Sequence, residues 1–88
     1  MIFITLVKWK QSPVKQKESV DQFTKTLEKL EKQGIKMRIY WTLGRYDGVT
    51  ITEAPSEKDV MKLLLSLQDA IETETMVAVP REEAIKLL

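Results

Sequence analysis

The sequence predicts an α+β fold, a ferredoxin-like βαββαβ sandwich with a four-stranded antiparallel sheet, two helices on one face and a short C-terminal helix. The 88 residues suit a single domain spanning the whole chain. Residues 35–43 alternate apolar and polar side chains, as a half-buried strand does. Two amphipathic segments are interleaved with strand-like segments, and right-handed crossovers then give the sandwich.

The first half of the chain predicts a strand, a basic loop and a helix. Residues 1–9 are rich in β-branched and aromatic side chains, which favours a strand. Pro13 interrupts this pattern within a lysine-rich loop. Ser19 and Gln22 have the spacing of a capping box, and Gly34 suits a helix stop, so we expect a helix over residues 20–33. Its apolar stripe consists of Val20, Phe23, Leu27 and Leu30.

The second half predicts two more strands and two more helices. Residues 49–52 alternate and follow a glycine-containing turn, which indicates the third strand. Ser56 and Asp59 form a second capping box, and the residues after it have helical periodicity up to Leu67. Residues 73–79 predict the fourth strand, and Pro80 favours the start of the last helix.

The register of the central hairpin decides which side chains share a face of the sheet. A two-residue loop would set Ile39 opposite an even-numbered residue and mix the two faces. A three-residue loop at residues 44–46 instead sets Ile39 opposite Ile51 and Trp41 opposite Val49, and we favour that register. The helices would then cover these apolar residues. The uncovered face would carry Lys36, Arg38, Tyr40, Thr50 and Thr52.

An uncovered mixed face on so short a chain predicts self-association. A chain of this length buries only about 60–65% of its unfolded surface, so a second copy would add useful burial. We therefore expect a homodimer, or a higher oligomer, whose facing sheets enclose a small and partly polar cavity. Residues 1–52 carry a net charge of +5 and residues 53–88 a net charge of −4, which favours a small organic anion as the ligand or is simply a solvated surface.

Composition excludes several functions. Cysteine and histidine are absent, which excludes cysteine nucleophiles and Ser-His triads and makes a metal centre or a bound cofactor unexpected. No apolar run reaches the ~20 residues of a membrane span, and no basic segment precedes the first apolar run, so we expect a cytoplasmic protein without membrane contact. Only Tyr40 offers an aromatic ring on the uncovered face, which argues against nucleic-acid binding.

Nearly the whole chain resembles the GYD domain family. The resemblance is carried by Lys8-Trp9, by "TLGRYDGVTITEAP" at residues 42–55 and by "ETETMVAVPREE" at residues 72–83. It implies a ferredoxin-like fold of the dimeric α/β-barrel kind, with no settled activity. The residues that name the family would be Gly44, Tyr46 and Asp47, with Gly48 standing where a larger apolar residue is expected. A site at this hairpin is what the resemblance implies.

The hairpin residues have a functional and a structural interpretation. Arg45 could clamp an anion, Tyr46 could donate a proton, and Asp47 could act as a general base or pair with Arg45. Alternatively, Asp47 caps the turn and Tyr46 covers the edge of the core. Trp41 is expected in the core, whereas Trp9 packs in the core, lines the rim of a pocket or contacts a second copy.

Three functions follow. The first is a ligand-binding dimer in which Arg45, Tyr46 and Asp47 close the pocket. An alternative is a cofactor-independent enzyme of oxygenase or isomerase type that uses Tyr46 and Asp47. Another is a dimerisation module without a ligand. A buried Arg38 needs an anionic ligand or an acid such as Glu72 or Glu74. The ligand-binding set is Trp9, Arg38, Tyr40, Arg45, Tyr46, Asp47, Thr50 and Thr52.

Overall fold

A computed structural model describes the backbone of residues 1–88 and the side chains of all of them except Val14. A 3-10 turn at Pro13–Gln16 precedes the first helix. The strands are β1 (Ile2–Trp9), β2 (Lys36–Trp41), β3 (Gly48–Glu53) and β4 (Ile71–Ala78). The helices are α1 (Lys17–Lys32), α2 (Glu57–Leu67) and α3 (Arg81–Ile85).

The four strands form one antiparallel sheet in the order β2-β3-β1-β4. This is the order that a βαββαβ chain produces when each helix crosses over the same face, so the predicted α+β class and sheet are confirmed. Helices α1 and α2 lie on the face of β1 that carries Phe3. The core there consists of Phe3, Ile35, Ala54 and Val60, with Leu30, Met37 and Leu64 packed against it.

The two long helices begin differently. Helix α1 starts at Lys17, and its N-cap residue, Gln16, makes no side-chain capping hydrogen bond. The capping box predicted at Ser19 is therefore wrong, because the 3-10 turn behind Pro13 runs directly into the helix. Helix α2 starts as predicted, with the Ser56 amide donating to the Asp59 carboxylate at 3.2 Å. The predicted stop of α1 is also confirmed, since Gly34 has a φ of 85°.

The register of β2 on β3 differs from the prediction by one residue. Ile39 lies opposite Thr50, and Trp41 lies opposite Gly48. The connection between the strands comprises the six residues 42–47 rather than three. A connection with an even number of residues pairs odd-numbered positions with even-numbered ones. The alternation of apolar and polar residues in β2 and β3 had argued against such a register, because it mixes the two sets on each face.

The shifted register exchanges the faces of β3. Thr50 and Thr52 lie beneath the helices and are 9% and 2% exposed, so the prediction that they line the uncovered face is wrong. Val49 and Ile51 lie on the opposite face, which we call the open face. Both faces of β3 bear β-branched residues that suit a strand, so β propensity does not distinguish them.

The buried threonines follow from their neighbours on β1. Thr50 lies opposite Thr5, and Thr5 lies opposite Thr75, so a row of threonines crosses three strands beneath the helices. The Thr5 and Thr75 hydroxyl oxygens are 3.0 Å apart and hydrogen-bonded, which offsets the cost of removing the Thr5 hydroxyl from water, whereas Thr75 is exposed on the edge strand β4. Across the described chain, no helix combines the length and the apolar character needed to cross a bilayer.

Candidate functional site

The connection between β2 and β3 is held in one conformation by its own hydrogen bonds. The Thr42 amide donates to the Asp47 carbonyl at 2.9 Å, and the Thr42 hydroxyl donates to the Tyr46 carbonyl at 2.7 Å.

Gly44 has a φ of 131°, a conformation that a residue with a Cβ adopts only with strain. Glycine is therefore needed at this turn for a backbone reason.

Asp47 joins this connection to the end of β1. Its carboxylate accepts a hydrogen bond from the Trp9 amide at 2.8 Å, and its own amide donates to the Val7 carbonyl at 2.8 Å. These contacts support the structural interpretation, because a carboxylate that satisfies a strand-end amide is a positioning group. The Arg45 guanidinium lies 5.8 Å from the centre of the Tyr46 ring, in a cation–π contact.

Tyr46 reaches β4 at the far side of β1. Its hydroxyl donates to the Glu74 carboxylate at 3.0 Å. Through Asp47 and Tyr46, the connection thus contacts both β1 and β4, while it continues directly into β3. We call residues 44–47 the clamp, because their contacts hold the ends of β1, β3 and β4 together.

Gly48 follows the clamp for a steric reason. A Cβ at this position would lie 3.1 Å from the Tyr40 carbonyl oxygen, closer than most real Cβ contacts. The residue is buried opposite Trp41 at the end of β2. The larger residue that the family resemblance suggested would push β2 away from β3 at this point.

The open face has an apolar centre on the two inner strands. Alternation along the paired strands brings Ile4, Ile51 and Met76 into one row and Leu6, Val49 and Tyr40 into the next. Met76 and Tyr40 are 48% and 49% exposed. This face is therefore more apolar than we predicted from the sequence, because the prediction had placed threonines there.

Charged side chains border the open face in a defined pattern. Lys36 lies opposite Glu53, and Lys8 lies opposite Glu72. Arg38 on β2 lies opposite Ile51, so its neighbour in the ladder is apolar. Like Arg38, Glu74 on β4 has an apolar cross-strand neighbour, Leu6.

Arg38 and Glu74 lie on opposite edge strands. Three strand spacings of about 4.8 Å separate these strands, which makes roughly 14 Å. Glu72 and Glu74 therefore lie too far from Arg38 to pair with it within one chain, and the pairing suggested by the sequence would need a second copy.

The two tryptophans meet at the helix-covered side of the clamp. Their ring centres are 5.1 Å apart and the ring planes cross at 75°, an edge-to-face pair. Trp41 faces the helix side as predicted, but it is 62% exposed and so is not a core residue. It ends an edge strand opposite Gly48, which has no side chain to cover it. Trp9 is among the residues that line a cavity beneath the helices, on the other side of the sheet from the predicted pocket.

A cavity of about 380 Å³ lies between the sheet and helices α1 and α2. Sequence reasoning missed it, because an apolar stripe on a helix normally indicates a closed core. The stripe of α1 instead contains no fully buried residue. The residues that line the cavity from the sheet include Thr5, Val7, Ile39, Thr50 and Ile71. Those from the helices include Val20, Phe23, Leu27, Leu63, Leu64 and Leu67.

Comparison with known proteins gives one positive result. The family model described as the GYD domain matches residues 3–88, and the chain therefore belongs to that family. Neither the curated proteins nor the solved structures include a significant match to this sequence.

Among the residues that the structure describes, no cluster of three or more acidic side chains has the arrangement of a metal site.

Proposed function

We propose that this member of the GYD domain family is a homodimer in which two copies pair through their open faces, as in a dimeric α/β barrel. The single observation that carries the proposal is the apolar centre of that face, built on Ile4, Ile51 and Met76. Contiguous exposed apolar surface of this kind is typical of an interaction site. Since the core holds few fully buried residues, pairing would add burial that one copy lacks.

Charge supports a second copy as the occupant. Arg38 and Glu74 lie on opposite edges of the open face, each beside an apolar cross-strand neighbour. A two-fold axis in the interface, perpendicular to the line that joins them, brings Arg38 of each copy over Glu74 of the other. The same patch then serves both copies, as an isologous interface requires. A partner without this arrangement would leave the Arg38 guanidinium without an acid at the border, whereas Glu74 already accepts a hydrogen bond from Tyr46.

Sedimentation equilibrium of the 10.2 kDa chain tests the dimer. We expect twice the chain mass for the native protein and for a Leu65→Lys control on the exposed side of α2. Ile51→Lys introduces a charge at the centre of the open face and should weaken association about 100-fold or more. A native protein that stays monomeric at about 100 μM, or lysines that act alike at both positions, would contradict the proposal.

The second candidate is a binding site for a small organic anion at the edge of the paired sheets. It is favoured by Arg38 and Tyr40, which lie on the open face as predicted. A thermal-shift series with small organic anions tests it. The shifts should disappear in Arg38→Ala and persist in Lys36→Ala, and shifts that survive in Arg38→Ala would count against this site.

The enzyme alternative has less support. It needs Tyr46 and Asp47 as free acid or base groups, but Tyr46 donates to Glu74 and Asp47 accepts from the Trp9 amide. Both side chains therefore contribute to the structure of the sheet end. We favour binding and assembly over catalysis for this reason.

A further inference from the structure

The cavity beneath the helices is a second place where this molecule can bind a ligand. We infer that it takes a planar, uncharged, largely apolar molecule of two to four fused rings with one small polar group such as a hydroxyl. All of the lining residues belong to one chain, so the inference does not depend on the proposed dimer.

The size of the cavity limits the ligand. Small-molecule sites commonly enclose about 300–1,000 Å³, and this cavity of about 380 Å³ is near the lower bound. At the packing density of protein interiors, about 0.75, its occupant would fill roughly 280 Å³. That volume is enough for a compound of two to four fused rings.

The lining explains why the ligand should be apolar. Helix α1 turns Val20, Phe23 and Leu27 toward the cavity, and none of them is fully buried. An amphipathic helix is stabilised mainly by burial of its apolar stripe, so an apolar occupant would complete the packing of α1. The described side chains around the cavity include no Lys, Arg, Asp or Glu. A charged ligand would therefore be desolvated there without a partner.

The tryptophan pair explains why the ligand should be planar. Trp9 and Trp41 both line the cavity, and their edge-to-face contact leaves them at a steep angle to each other. Trp41 is 62% exposed, so much of its surface is available to a planar ring. Offset stacking or edge-to-face contact with such a ring is favourable beyond the area that it buries.

The Thr50 hydroxyl is the reason to expect a polar group on the ligand. Thr5 and Thr50 face the cavity from neighbouring strands, but the Thr5 hydroxyl is bonded to that of Thr75. The Thr50 hydroxyl has no side-chain hydrogen-bond partner among the described residues. A ligand hydroxyl next to Thr50 would provide that partner and orient the rings.

Calorimetric titration with 2-naphthol, naphthalene and 2-naphthoate tests the inference. We expect saturable binding of 2-naphthol, about five- to tenfold tighter than naphthalene, as one hydrogen bond implies. The charged 2-naphthoate should bind more weakly than 2-naphthol. Failure of both neutral compounds to bind, or tighter binding of 2-naphthoate, would overturn the inference.

Two matched threonine variants locate the site. Thr50→Val should remove the preference for 2-naphthol and leave naphthalene binding unchanged. Thr52→Val, on the same strand and face but outside the cavity lining, should alter neither. Leu27→Trp takes up part of the cavity and should weaken binding of both neutral compounds, and undiminished binding in this variant would place the ligand elsewhere. Should Thr50→Val fail to fold, Leu27→Trp alone decides.

Discussion

The helix-covered face and the open face of the sheet are most easily compared along β1, where they alternate. Phe3, Thr5 and Val7 face the helices and are buried, whereas Ile4 and Leu6 face the other way and remain partly exposed. A threonine is thus more buried than the isoleucine beside it. The comparison teaches that burial in this chain follows what covers a residue rather than how hydrophobic the residue is.

The largest difference between the faces should appear on removing one side chain from each. Phe3→Ala deletes a core side chain that is 2% exposed and should lower the free energy of unfolding by about 3–5 kcal/mol at any protein concentration. Ile4→Ala should cost less in a dilute sample and more in a concentrated one, because a second copy covers Ile4 only in the dimer.

Urea unfolding followed by circular dichroism at two protein concentrations measures both effects. Equal costs for the two substitutions, independent of concentration, would mean that the open face contributes to stability without a partner.

The second-largest effect on stability is expected at the clamp, which lies at one end of the sheet. Asp47→Ala removes the acceptor of the Trp9 amide and should lower the free energy of unfolding by about 1.5–3 kcal/mol, the range for hydrogen bonds to charged groups. Asp47→Asn keeps a side-chain oxygen acceptor and should cost less. Hydrogen exchange at the Trp9 amide is the direct measurement, and unchanged protection in Asp47→Ala would show that this bond is not what orders the strand end.

A charge reversal tests the border of the open face. Arg38→Glu and Glu74→Arg should each weaken dimerisation about tenfold, since each places like charges together across the two-fold axis of the proposed dimer. The double reversal restores opposite charges and should recover most of the native affinity. Sedimentation at constant salt measures all three variants, and a double reversal no better than its parents would argue against this pairing.

The smallest effect is expected at the exposed end of the clamp. Tyr46→Phe removes the hydroxyl that donates to Glu74 and should lower the free energy of unfolding by about 0.5–1 kcal/mol. The result also serves as the control for Glu74→Arg, which breaks the same bond. Thermal unfolding measures the change, and a loss as large as that of Asp47→Ala would mean that Tyr46 has a role beyond this hydrogen bond.

Local patterns were enough to predict the elements but not all of their ends. The alternation of residues 35–43 identifies β2, and Gly34 identifies the end of α1. Both signals depend on local backbone geometry, which residues close together in the chain determine. The start of α1 was misplaced because a 3-10 turn can begin a helix without a capping side chain. Strand β4 begins at Ile71, two residues before the predicted start, because it continues to pair with β1 as far as Trp9.

The candidate site was only partly predictable. The motif at residues 44–47 pointed to the right end of the sheet, and Arg38 and Tyr40 lie on the open face as expected. The assignment of Thr50 and Thr52 failed because it assumed that the more apolar set of β3 must face the helices. That assumption fails here because both faces of this sheet carry apolar side chains.

By itself, the sequence determined the order of strands and helices, the stop of the first helix at Gly34 and the absence of histidine and cysteine chemistry, because each depends on residue type and short-range spacing. Only the tertiary structure decided which face of β3 the helices cover, which groups Tyr46 and Asp47 contact and whether α1 closes on the sheet. The physical reason is that register and packing depend on contacts between residues far apart in the chain, and a one-residue shift reverses every side chain at little local cost.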